Sequence, residues 1–254
     1  MHGPESRHDT AGPSEERRAV QYHFFFVRIT HWIFAVAFLF LVFSSLPILI
    51  AHPRFYWGET GAIGGNALFS LHLPFWTGLS GWGRNMHFLF AWVSLFTGVI
   101  YVFFGIRSQH FRKNLLPKRH DLVPRTLLGV VVEHLRPNRT LWRHSLRYNV
   151  IQRIAYLAVV FILFPMAFLS GLAMSPAITS VVPGLVTFFG GHQSARTIHF
   201  LLAVFLVAFL AVHLLMIFRA GFFLSTKAMI TGQYPIEEPA NLSVSELAER
   251  AVDA

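Results

Sequence analysis

The chain has 254 residues, 54% of them hydrophobic and 13% charged, with a formal net charge of +9 and no cysteine. That apolar content excludes an ordinary soluble domain and indicates a polytopic membrane protein, and the lack of cysteine excludes disulfides, Cys-ligated iron–sulfur clusters and thioether-attached haem within the chain. The positive charge does not mark a nucleic-acid protein: of the 21 Lys and Arg, ten lie between residues 106 and 149, four in the first 30 residues and three after Phe218, which is the positive-inside asymmetry of a membrane protein with both termini in the cytoplasm.

Residues 1–18 are polar, with Gly3, Pro4, Gly12 and Pro13, and read as a disordered tail. The first apolar run comes too late and is too long for a signal peptide, so none is expected. The first span is predicted over residues 29–50, entered through Arg28-Ile-Thr-His31-Trp32, with Trp32 at an interfacial belt position. Residues 51–85 form an outer loop in which Leu68 to Leu79 is apolar but short and broken by Pro74, so it is expected to lie in the interface. The second span is predicted over 86–105, opening with Arg84-Asn-Met-His87; Gly98 within it marks either a close helix contact, the commoner explanation, or room for a flat cofactor.

The basic segment 106–149 is cytoplasmic, with an amphipathic surface helix expected over Leu122 to Leu135. The third span, 150–173, has Pro165 and Gly171 in its outer half and no histidine. A second outer loop, 174–195, carries a short apolar piece at Pro183 to Phe189. The fourth span is predicted over 196–218, with Gly221 to Ile230 interfacial after it. Ser243 and Glu246 form a capping box in the C-terminal cytoplasmic tail, 235–254. The fold class is therefore an all-α membrane protein, a four-transmembrane-helix bundle, whose membrane domain covers 19–234.

The fourth span carries His199 and His213 and no other ionisable residue between Arg196 and Arg219. Fourteen residues are close to four whole turns, so both rings leave one face of the helix, about 21 Å apart along its axis. Polar groups inside a membrane are costly and usually functional, and a neutral imidazole is a good axial ligand for haem iron. The topology supplies partners at matching depth. His31 stands at the inner end of span one, level with His213, and His87 opens span two at the outer face, level with His199. Two bis-histidine haem sites follow, His31 with His213 and His87 with His199. The remaining histidines, His110 and His192 among them, lie in tails or loops and read as surface residues, with His23 and His192, close to the interface, as second-choice ligands.

One local pattern recurs. Arg28-x-x-His31, Arg84-x-x-His87 and Arg196-x-x-His199 each place an arginine one turn before a histidine at the mouth of a span. That spacing sets both on one face with Arg toward water, where a haem propionate would point, so Arg28, Arg84 and Arg196 are expected to pair with propionates. No carboxylate lies in spans one or two, or between Glu133 and Glu237, so no transmembrane Asp/Glu proton relay is expected.

The motifs RITHW at 28–32, MHFLFAW at 86–92, RYNVIQRIAYL at 147–157, LSGLA at 169–173 and ARTIHF at 195–200, with His213 beyond it, resemble the bacterial di-haem membrane cytochromes b that serve nickel–iron hydrogenases, formate dehydrogenases and thiosulfate reductases, most closely the thiosulfate reductase cytochrome b-like branch. The resemblance covers about residues 21–234 and implies the same histidine pairing. It also implies an electron-transfer subunit of an oxidoreductase complex in the bacterial inner membrane. Such a subunit binds two b-type haems and passes electrons between a periplasmic molybdopterin or iron–sulfur partner at the outer haem and the quinone pool near the inner one. Two other functions fit the sequence: a self-contained membrane cytochrome exchanging electrons between quinone and a small diffusible periplasmic partner, and a cofactor-free transporter or metal-binding bundle.

Overall fold

In the computed structural model the described residues are 19–21, 24–59, 65–71, 82–117, 123 and 150–235. The chain divides into two compact units, residues 25–222 and the flanking segments 1–24 with 223–254.

The first unit is built on four helices long and apolar enough to cross a membrane: α1 (Phe25–Ala51), α2 (Trp82–Arg107), α3 (Val150–Ala173) and the first three-quarters of α6 (His192–Thr231). Two short helices, α4 (Pro176–Thr179) and α5 (Gly184–Phe188), stand between α3 and α6, the latter within the short apolar piece noted at Pro183 to Phe189. The long helices are apolar all round, and their bulk faces outward: Phe43, Phe96, Phe103 and Phe218 are all about 60% exposed, as lipid-facing residues must be. What is buried between the helices is small and often polar. On α1 it is Thr30, Ala37 and Ser44 at seven-residue spacing; on α2 it is Gly83, Ser94, Thr97 and Gly105; on α3, Ser170 and Ala173. Small residues let helix backbones approach where lipid supplies no hydrophobic drive between helices. Gly83 is one such approach, since a Cβ there would lie 2.4 Å from Pro47 Cγ of α1. The buried hydroxyls of Thr30, Ser44, Thr97 and Ser170 each donate to a carbonyl one turn back, which satisfies them inside the bundle.

Several boundaries differ from the sequence expectation. α1 and α2 each begin four residues earlier than predicted. α3 contains a π-helical turn, Val159–Leu163, just ahead of Pro165, where the proline's missing N–H cannot continue the regular ladder. α6 runs on past 218 as helix to Thr231, interrupted at Gly221 (φ 107, ψ 93), a conformation only glycine adopts without strain. Gly98 is not a close helix contact: a Cβ there would meet nothing within 4 Å.

Two-stranded pairings join segments too short to show a strand pattern. β2 (Arg54–Phe55) pairs antiparallel with β3 (Phe69–Ser70) in the first outer loop; β3 falls inside the stretch expected to lie in the interface, and its remainder from residue 72 is outside the described residues. In the second unit β1 (Ala19–Gln21) pairs antiparallel with β4 (Gln233–Pro235), bringing together the segments before α1 and after α6. The N-terminal tail, the helix expected over 122–135 and the capping box at Ser243 lie outside the described residues.

Candidate functional site

His31 of α1 and His213 of α6 face each other with ring centroids 6.3 Å apart, and His87 of α2 faces His199 of α6 at 6.1 Å. The structure thus brings together both predicted pairs. The spacing is chemically specific. A metal–imidazole bond of about 2.0–2.1 Å plus about 1.1 Å from nitrogen to ring centre, counted on both sides, puts two ligating rings about 6.3 Å apart. Among the described residues no group of three or more His, Cys, Asp or Glu could hold a metal ion. A bare ion between two histidines would lack ligands, whereas haem iron brings four equatorial nitrogens of its own and needs two axial partners.

The His87–His199 pair is held by hydrogen bonds. His199 Nδ1 donates to the Ala167 carbonyl (2.8 Å) and approaches Ser170 Oγ at 3.1 Å. Ser170 is fully buried and gives its own proton to the same carbonyl. His87 Nδ1 lies 3.2 Å from Ser44 Oγ, whose hydroxyl donates to Leu41 O. With Nδ1–H committed to an acceptor, the Nε2 side of each ring is left for the partner side. Gly171 makes room for this, because a Cβ there would sit 3.3 Å from His199 Cε1. Serine inside an otherwise apolar span was the sequence signal for these supports, and the reading from sequence missed it.

The His31–His213 pair is held differently. Phe209 stacks on His213 (6.0 Å, 16°), Tyr156 meets it edge-on at 6.4 Å, and Trp32 meets His31 edge-on at 5.3 Å. His31 Nδ1 is buried with no hydrogen-bond partner among the described residues.

The position of His199 along α6 is set by the start of that helix, which the loop between α1 and α2 clamps. The Gly58 carbonyl accepts the N–H groups of Gln193 and Ser194, Ser194 Oγ accepts from Gly58 N–H, and the Glu59 carboxylate accepts from His192 N–H. Thr197 Oγ1 donates to the Tyr56 carbonyl. These contacts satisfy N–H groups that a helix N-terminus leaves open. Gly191 (φ 112) permits the approach, since a Cβ there would fall 2.5 Å from the Gly58 carbonyl carbon.

The three arginines divide. Arg196 donates to the Arg54 carbonyl and lies over the Phe55 ring at 5.5 Å, while its Nε is buried without a hydrogen-bond partner among the described residues, a donor that a carboxylate would satisfy. Arg84 is exposed at the mouth of α2. Arg28 lies 6.0 Å over the Phe25 ring. Of the histidines expected at the surface, His52 is exposed and His192 turns Nε2 toward the Met174 carbonyl at 3.3 Å. His110 departs from that expectation: it is 7% exposed, enclosed by Phe26, Tyr101 and Phe111.

Four apolar spans carrying paired, inward-facing imidazoles define a membrane cytochrome of the b type. The chain belongs to the prokaryotic cytochrome b561 family, whose pattern it matches over residues 22–232, a family of multi-pass membrane proteins that bind b-type haem and transfer electrons. It is 30% identical over 196 residues, 75% of this chain and 87% of the relative, to a protein of Azospira oryzae named as a protein-methionine-sulfoxide reductase subunit, YedZ1. No solved structure gives a significant match.

Proposed function

We propose that this protein is a di-haem electron-transfer subunit of the bacterial inner membrane, linking the quinone pool to a periplasmic oxidoreductase, with both chain termini in the cytoplasm. The observation that carries it is the pair of histidine–histidine separations, 6.3 and 6.1 Å, each matching one metal between two imidazoles. His31 and His213 hold the inner haem, and His87 and His199 hold the outer one. Haems held there would supply one-electron iron chemistry, and two histidines on each would leave no place on the iron for substrate. The side chains do the rest. Ser44, Ser170 and the Ala167 carbonyl fix the ring orientation and tautomer of the outer ligands. Phe209, Tyr156 and Trp32 wall the inner ones, and Arg196 offers Nε to an outer propionate.

The relative's name supports a reductase as the periplasmic partner, a molybdopterin enzyme on the resemblance above. A reductase consumes electrons, so flow runs from quinol at the inner haem to the outer haem and out. Family membership sets aside a cofactor-free transporter. The self-contained cytochrome differs from the proposal in one observable: it copurifies with no second subunit. Pyridine haemochrome quantitation of the purified protein is expected to give about two haems per polypeptide; one or none contradicts the proposal.

A further inference from the structure

The Thr197 hydroxyl is used unlike those of Thr30, Ser44, Thr97 and Ser170. Those four each donate to a carbonyl one turn back in their own helix, the common resort of a hydroxyl in an apolar helix. Thr197, only 2% exposed, donates instead across to the Tyr56 carbonyl at 2.7 Å. That carbonyl belongs to a segment, residues 54–59, laid along the first turns of α6. Glu59 meets the N–H of His192, Gly58 meets Gln193 and Ser194, and Tyr56 meets Thr197. At the segment's other end the Arg54 carbonyl accepts from Arg196, and the Phe55 ring lies 4.5 Å from that of Phe200 and 4.8 Å from that of Phe69.

Two residues on, His199 leaves the helix on nearly the opposite side. At about 100° per residue, Thr197 and His199 point about 200° apart, whereas Arg196, Thr197 and Phe200 fall within about 100° of one another. The start of α6 is therefore gripped from two sides. The 54–59 segment holds one, and the Ala167 carbonyl of α3 holds His199 Nδ1 on the other at 2.8 Å. A grip on one side alone leaves a helix free to turn about its long axis. With side chains reaching about 5–6 Å from that axis, a turn of about 10° moves a group at the rim by about 1 Å. Ligating side chains must be held within about 0.5 Å and about 10–20° of their working geometry. Fourteen residues further along α6, the His213 ring is held by Phe209 and Tyr156 instead, so loosening the 54–59 segment bears on one histidine pair and not the other.

We infer that Thr197 is a positioning residue for the haem proposed between His87 and His199: its hydroxyl, bonded to the Tyr56 carbonyl, fixes the rotation of α6 and so the geometry in which His199 meets iron. The inference rests on the di-haem reading above. Thr197 points away from the ligand ring and acts through the helix backbone. Its partner is a carbonyl of the loop between α1 and α2, so that loop governs a ligand it does not itself supply. Loss of the hydroxyl lets α6 turn and weakens the bond from His199 Nδ1 to the Ala167 carbonyl. A histidine that donates less from Nδ1 is a less basic ligand, and a less basic ligand favours oxidised iron less.

The test compares purified full-length Thr197→Val and Thr197→Ser with the wild type, by spectroscopic redox titration and by haem transfer to apomyoglobin. Valine keeps the shape of threonine and removes the donor; serine keeps the donor and removes the methyl. In Thr197→Val the His87–His199 haem should leave on the order of 10-fold faster and its midpoint potential should rise, with the other haem unchanged in both. Thr197→Ser should behave as wild type. Wild-type rates and potentials in Thr197→Val overturn the inference, as does a serine variant as impaired as the valine one, which would make Thr197 a matter of packing. Equal loosening of both haems also overturns it. If Thr197→Val assembles no haem, Ser194→Ala, which removes the acceptor of the Gly58 N–H, decides: the same selective loss supports the inference and wild-type behaviour overturns it. A wild type with one haem or none removes the di-haem reading itself, and the inference with it.

Discussion

The outer and inner histidine pairs have nearly the same separation but opposite supports. At the outer pair both Nδ1 atoms meet buried serines, Ser44 and Ser170, and His199 also donates to the Ala167 carbonyl. At the inner pair the rings are held by aromatic walls, Phe209 stacked on His213 and Trp32 against His31, and His31 Nδ1 has no partner among the described residues. Hydrogen bonding to Nδ1 fixes tautomer and orientation and raises ligand basicity, whereas aromatic packing constrains position and leaves basicity alone. On the proposed reading, one helix, α6, presents two haems with differently tuned ligands, and substitutions should separate them.

The largest effect is expected from Gly171→Val. A branched side chain there must occupy the space where a Cβ already lies 3.3 Å from His199 Cε1, so the outer haem should be lost and the inner one retained, read as a halving of haemochrome per polypeptide. Loss of both haems would mean that the two sites assemble as one unit. Next comes Ser170→Ala, which removes one of the two acceptors at His199 Nδ1. Losing an outer hydrogen-bond partner of a metal-bound histidine costs about 10–100-fold in affinity, so the outer haem should dissociate faster to apomyoglobin while the inner haem's rate stays fixed. Phe209→Ala is the mirror experiment: it should loosen the inner haem and leave the outer unchanged. Equal effects on both haems from either substitution would erase the contrast.

The smallest effect concerns charge. Arg196→Gln removes a cation beside the proposed outer propionate, so the oxidised, more positive haem is favoured and the outer midpoint potential falls. A unit charge about 8–10 Å from iron contributes on the order of 2 kcal/mol at an effective dielectric of about 20, before interfacial water screens it. The expected shift is on the order of tens of millivolts, with less for Arg84→Gln because Arg84 is exposed. An unchanged outer potential in both variants, by spectroscopic redox titration, would leave these arginines as boundary markers.

The four spans and the pairing of His31 with His213 and of His87 with His199 were legible because both rest on simple periods. Apolar runs of about 20 residues are hard to disguise, and 14 residues return to one helix face. What escaped was fixed by tertiary contact. The inward turn of His110 depends on Gln109's left-handed backbone and on the space at Gly105, neither of which leaves a mark in hydropathy. The continuation of α6 past Arg219 was hidden by a charge that a helix end tolerates when the side chain can snorkel. The strand pairings are two or three residues long, below the length at which alternation shows. Nothing in the sequence marks Glu59, whose carboxylate meets the first N–H of α6.

The central claim is that α6 serves two haems, each shared with a different helix. Spectroscopic redox titration of four single variants tests it most directly. His31→Ala and His213→Ala should each leave a one-haem protein with the same remaining midpoint potential, His87→Ala and His199→Ala should each leave the other, and the two potentials should together reproduce the wild-type titration. If His31→Ala instead loses the haem that is lost in His199→Ala, the pairing is wrong and the account fails with it.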